Sequence, residues 1–216
     1  KRTMPVNVDG VYNWMANVNY SFPLKFMKST FEFGNRIRYN KGKQFINKLA
    51  NEIKTFAWGP ELRLDINPDD KINFALSANY DYNNAKYSAL PAQNNNYISQ
   101  EYNASVDWQL PKNFFLSTSL NYTINDQLSS GFNAKIPIWN AAISKQFLKY
   151  NRGELKLAAT DLLNRNVSIS RSTTSNYIQD REVNALKRFF LLSFTYSLSK
   201  SGLNTAAGPG FKVISR

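Results

Sequence analysis

The stretch Arg188-Phe-Phe-Leu-Leu-Ser-Phe-Thr-Tyr-Ser-Leu198 constrains this chain more than any other. Side chains of an extended strand alternate between two faces, so Phe190, Leu192, Phe194, Tyr196 and Leu198 share one face while Ser193, Thr195 and Ser197 share the other. Strands of soluble sandwiches usually run five or six residues, and about ten tilted residues is the length at which a strand crosses a membrane. The pattern therefore asks whether the rest of the chain repeats it with one uncharged face throughout.

It does so in nine long segments, over residues 11–22, 26–39, 56–66, 72–82, 98–110, 114–124, 136–147, 154–160 and 188–198. In the first, Tyr12, Trp14, Ala16, Val18, Tyr20 and Phe22 alternate with Asn13, Met15, Asn17, Asn19 and Ser21. In the third, Phe56, Trp58, Leu62, Leu64 and Ile66 alternate with Glu61, Arg63 and Asp65, and Pro60, which has no N–H for a ladder, predicts a local bulge. The apolar faces carry only Lys145 and Arg188 as charges, both near strand ends. The opposite faces carry Lys28, Glu32, Arg36, Arg38, Glu61, Arg63, Asp65, Asp81, Asp107, Glu154 and Lys156. A cation at the bilayer midplane costs about 2 to 4 kcal/mol and little at the interface, so this purity is what a lipid-facing surface requires.

The connections alternate short and long, with 40–52 read as a loop and 161–185 as the longest connection; short turns on one side and long loops on the other is the asymmetry of outer-membrane barrels. No apolar run is long enough for a membrane helix, and an open sheet edge in lipid would leave backbone groups unpaired. The predicted fold class is therefore all-β: an antiparallel transmembrane β-barrel with about nine strands in these 216 residues.

Composition narrows function by exclusion. The chain has no cysteine and no histidine, which removes disulfide frameworks, thiolate metal sites, histidine-based triads and proton shuttles. No enzyme activity and no cofactor are expected. The net charge of +12 is spread over turns and loops instead of clustering on a recognition element, so lipid phosphate is the expected anion and nucleic acid is not. Asp65, Asn67 and Asp69 stand at the first, third and fifth positions of a calcium-loop pattern, but Asp70 replaces its glycine and Leu76 its distal glutamate, so a plain turn is expected.

Gly131-Phe-Asn133, Ile138-Trp-Asn-Ala-Ala-Ile-Ser-Lys-Gln-Phe147, Asp161-Leu-Leu-Asn164, Ile169-Ser-Arg171, Asn176-Tyr-Ile-Gln-Asp180 and Leu186-Lys-Arg-Phe-Phe-Leu-Leu-Ser-Phe-Thr-Tyr-Ser-Leu198 together resemble the C-terminal barrel portion of TonB-dependent-receptor-like outer-membrane proteins, related to SusC-type importers. The resemblance implies a 22-stranded barrel with a plug in the bacterial outer membrane, importing nutrients with energy delivered through TonB, and a surface lipoprotein as a further partner. The plug, the TonB box and about half of that barrel have no counterpart here. A barrel that acts as a scaffold or surface interaction protein, without import, is the alternative function.

The candidate site residues follow. Glu32, Arg36, Arg38, Glu61, Arg63, Asp65 and Asp107 are expected to face the lumen; Phe190, Leu192, Phe194, Tyr196 and Leu198 form a final strand of the kind that the assembly machinery reads; Arg188 is expected at the outer rim against lipid and lipopolysaccharide phosphates. Asp161 to Asn164 is expected only to end the eighth strand. Residues 1–199 form the barrel portion and 200–216 a basic periplasmic tail. Nine strands with the last running towards the periplasm leave the first running the same way, so the chain is expected to be the C-terminal portion of a longer polypeptide, Tyr12 to Phe22 pairing with a strand outside it.

Overall fold

The computed structural model describes residues 7–25, 28–46, 49–126, 135–173, 178–183 and 186–198. The motifs at 131–133 and 176–177 and the tail 200–216 lie outside them. Nine strands form one sheet in which spatial order is chain order: β1 (Tyr12–Leu24), β2 (Ser29–Ile46), β3 (Leu49–Asp69), β4 (Ile72–Tyr87), β5 (Asn95–Leu110), β6 (Phe114–Asn125), β7 (Lys135–Phe147), β8 (Gly153–Thr160) and, last, β11 (Phe189–Tyr196). Between β8 and β11 the chain forms a separate hairpin, β9 (Ser168–Thr173) with β10 (Ile178–Val183). Every pairing is antiparallel. Among the described residues β1 pairs only with β2 and β11 only with β8, so no parallel closure of the last strand on the first is seen.

The register carries one face across the whole sheet. Trp108, Leu116, Ile143, Leu157 and Leu192 are successive cross-strand partners, as are Asp107, Ser117, Ala142, Ala158 and Leu191 on the other side. A slip of one residue would exchange these sets. The apolar face is the exposed one, with Leu120, Leu157, Leu192 and Phe194 all open, whereas Phe115, Ser117, Ala142, Ser144 and Gln146 on the polar face are buried. Side chains crowd on the concave side of a curved sheet, so the polar face is the inside and the apolar face the outside.

The row through Leu24 and Ser29 at the first short turn continues to Ile66, Phe74, Val106, Thr118, Ala141, Ala159 and Phe190, well short of the β7–β8 turn at Phe147 and Gly153. The turns thus step progressively along the register, which is the shear of tilted barrel strands. Left-handed backbone is concentrated in these turns, at Lys112 and Asn113 and again at Leu148, Tyr150 and Asn151. The Asn113 amide donates to the Asn151 amide oxygen across 3.0 Å, linking two neighbouring turns.

Several expectations need correction. Residues 40–52 are not a loop: β2 runs to Ile46 and β3 starts at Leu49, giving a hairpin arm that rises past the apolar band. The polar run Asn40 to Gln44 has no apolar alternation to read, yet a backbone ladder needs none. The 161–185 connection contains the β9–β10 hairpin for the same reason. Pro60 causes no bulge: the register is identical on either side of it, the missing N–H leaving only a gap in the pairing with β4, and the irregularity lies instead between Ile66 and Asp69. Lys28 is a turn residue with φ of 46° and does not belong to β2. The last strand stops at Tyr196, two residues before Leu198, where Arg152 takes over by donating from its guanidinium to the Ser197 and Leu198 carbonyls.

Candidate functional site: the inward polar face

Strands β1 to β6 place a continuous polar surface on the concave side. At its centre Arg36, on β2, reaches over Gly59, on β3, to Asp81, on β4, with Nη2 at 3.0 Å from Oδ1. The pair skips a strand, and glycine makes this possible: a Cβ on Gly59 would stand 2.8 Å from Asp81 Oδ1 and 3.3 Å from Arg36 Nη2. Gly34 has the same effect in the neighbouring row, where a Cβ would meet Asn19 Oδ1 at 3.0 Å. The two glycines open a polar recess of about 360 Å³ lined by Asn17, Asn19, Arg36, Glu61, Asn79, Asp81 and Glu101.

The remaining predicted lumen residues surround it. Glu61 is the register partner of Gly34, and among the described residues its carboxylate has no hydrogen bond or ion pair. Arg63 holds Asp65 through two bonds of 2.7 and 2.9 Å and faces Glu32 as its cross-strand partner. Arg38 donates to the Met15 sulfur at 3.7 Å. Asp107 stands apart near the short-turn end, opposite Asn73 and Ser117, one carboxylate oxygen without a partner among the described residues.

Sequence reasoning does not single out the network next to the recess. Asn121 donates to Glu101 Oε1 at 2.8 Å and to Asn103 Oδ1; Asn103 in turn donates to Glu101 at 3.1 Å and Ser77 at 3.3 Å. Only alternation could have placed Glu101 on this face, and the residues before it, Asn95 to Gln100, mix polar and apolar side chains on both faces. Asp81, counted as an inward charge, emerges as the partner that fixes Arg36.

The outward polar groups are accounted for locally. The Trp58 indole donates to Asn35 Oδ1 at 2.9 Å, the Trp139 indole to Thr118 Oγ1 at 2.9 Å, and the Tyr102 hydroxyl to Gln100 at 2.8 Å. Lys145 lies 4.8 Å from the centre of the Phe114 ring, at the rim where β6 begins. Phe190, Leu192, Phe194 and Tyr196 line the outward face of β11, with Phe194 and Phe147 rings 6.0 Å apart. Leu198 is exposed and lies beyond the strand.

Asp161 to Asn164 forms a tight knot after β8. The Asp161 side chain is fully buried, with φ of 51°, and its carboxylate accepts the Arg165 and Asn166 amides at 2.9 and 2.8 Å. Its own N–H donates to Asn140 on β7 at 2.9 Å. Asn164 accepts the Arg188 amide at 3.3 Å, and the Arg188 guanidinium comes within 3.5 Å of the Leu162 carbonyl. The motif thus ties β7, β8 and the start of β11 together at the long-loop end, and Arg188 belongs to that tie. At the opposite end, Asp69 Oδ1 accepts the Lys71 and Ile72 amides at 2.8 and 3.1 Å, which makes the acidic segment before β4 a turn.

The family model for the outer membrane protein beta-barrel family matches residues 3–196. No curated protein and no solved structure matches the chain.

Proposed function

The chain belongs to the outer membrane protein beta-barrel family, which places it in the bacterial outer membrane, and from that premise we propose that it forms the C-terminal wall of a nutrient import channel of the TonB-dependent, SusC-related kind. The observation that carries this reading is the recess on the concave face. Its neutral amides, one fixed arginine and the carboxylates of Glu61, Asp81 and Glu101 offer hydrogen bonds to a polar solute, on the side of the sheet that lipid does not touch.

Among the described residues β1 and β11 are each paired on one side only, and unpaired backbone in hydrocarbon costs several kcal/mol per group. Strands beyond both edges would satisfy them, as in a 22-stranded barrel around a plug. A barrel of that size leaves a lumen that must be filled or used. Energy coupling through TonB and a surface lipoprotein as partner belong to the same proposal.

Uptake of a panel of labelled polar nutrients, sugars and peptides alike, by cells carrying or lacking the full-length protein tests it. Uptake that needs both the protein and the proton gradient supports import. Uptake unchanged by deletion of the protein contradicts it and leaves the scaffold reading.

A further inference from the structure

The hairpin arm of β2 and β3, with the adjoining end of β4, carries a row of cations on the outward face. Lys41, Lys54 and Lys86 are successive cross-strand partners and share a face with Tyr39 and Phe56 one step nearer the membrane. Like charges directly opposite each other on neighbouring strands are destabilising. Glu52 offsets the first two, at 3.0 Å from Lys41 and 2.8 Å from Lys54; these lysines hold its carboxyl below the usual range, and Glu52 in turn raises Lys54. Lys86 is exposed and has no ion pair among the described residues, nor has Lys43, the cross-strand partner of Glu52. One carboxylate thus stands against four ammonium groups.

The height of the row is informative. Lys41 lies about twelve residues above Ser29, which at roughly 3.4 Å per residue and a tilt near 40° is about 30 Å, against an apolar band of about 25 Å. The lysines therefore stand at the level of the outer leaflet's headgroups, on the side that faces lipid. Below them on the same face, Tyr39, Phe56 and Tyr82 lead into the apolar band, with the Phe56 and Tyr82 ring centres 6.3 Å apart.

We propose that this surface binds one lipopolysaccharide molecule of the outer leaflet, its phosphates held by Lys41, Lys54 and Lys86 and its acyl chains lying on the aromatic face below them. A phosphate among three ammonium groups converts their mutual repulsion into charge-assisted hydrogen bonds. The inference rests on the membrane location and not on import, so lipid retention and solute uptake succeed or fail separately.

The test is to purify the full-length protein in mild detergent, strip it of lipid, and titrate it with lipopolysaccharide, with enzymatically dephosphorylated lipopolysaccharide and with inorganic phosphate, reading occupancy by native mass spectrometry. Lys41→Gln/Lys54→Gln/Lys86→Gln should lower affinity at least tenfold, and the matching triple arginine variant should keep it. Glu52→Gln, which frees two lysines, should tighten binding several-fold. Lys86→Gln alone, outside any ion pair, should weaken binding measurably and serves if the triple variant folds poorly. Undiminished binding in the glutamine variants overturns the proposal. Equal affinity for the dephosphorylated lipid does so too, and so does displacement of the lipid by millimolar phosphate, which would mark a site for free anions.

Discussion

At the scale of single residues, the polar groups of this sheet divide into those that hold the fold and those left for solutes. Asp161 belongs to the first kind: fully buried, it satisfies two amides and is itself held by Asn140. Replacing a carboxylate that accepts two backbone N–H groups costs about 2 kcal/mol. Asp161→Ala should therefore lower the urea midpoint of unfolding clearly, and an unchanged midpoint would contradict the role. Arg36 and Asp81 differ, since both are about half exposed and such pairs contribute about 0 to 1 kcal/mol. Arg36→Ala should leave the midpoint nearly unchanged but make the recess more negative, shifting the reversal potential of reconstituted channels towards cation selectivity. Gly59→Val, whose Cβ collides with the bridge but removes no charge, should shift the potential far less. A potential unmoved by Arg36→Ala would show that this face does not line the conducting path.

At the scale of elements, the β2–β3 arm is held above the membrane by its backbone ladder, to which the Glu52 ion pairs add. The Glu52 carboxyl is depressed by Lys54 and Lys41, so its contribution is complete above the unfolded glutamate range and is lost as pH falls through the lower folded value. Amide exchange at Lys41 to Gln44, corrected for intrinsic pH dependence, should accelerate at acid pH while exchange in β6 does not; equal protection of both at all pH values would contradict this. The arm also shows where sequence reading stops. The β5 to β8 strands are legible because Leu116, Leu120, Ile143 and Leu157 alternate strictly, and lipid on one side forces them to. Lys41 to Gln44 stands above the hydrocarbon on both faces, so nothing forces an apolar alternation there. The site is half legible. Parity places Glu32, Arg36 and Glu61 on the inside, but which residues meet depends on the stagger of strands, so the reach of Arg36 over Gly59 to Asp81 and the Glu101–Asn103–Asn121 network emerge only once the register is known.

At the scale of the whole molecule, the sheet is a curved wall with a polar inside, an apolar outside and, among the described residues, two edges paired on one side only. If strands lie beyond β1 in the assembled protein, the Tyr12 to Phe22 amides that point away from β2 should be as protected from exchange as those that point towards it. Rapid exchange of the outward set alone would refute that pairing. The central claim, that the apolar face meets lipid and the polar face lines the interior, is tested most directly on β6, where Leu116 and Leu120 alternate with Ser117 and Asn121. Single cysteines at these four positions of the otherwise cysteine-free chain, probed in native membranes with a small water-soluble thiol reagent and with a bilayer-confined one, give the answer. Labelling by the soluble reagent at 117 and 121 and by the lipid-confined reagent at 116 and 120 is the predicted result; the reverse pattern would contradict it.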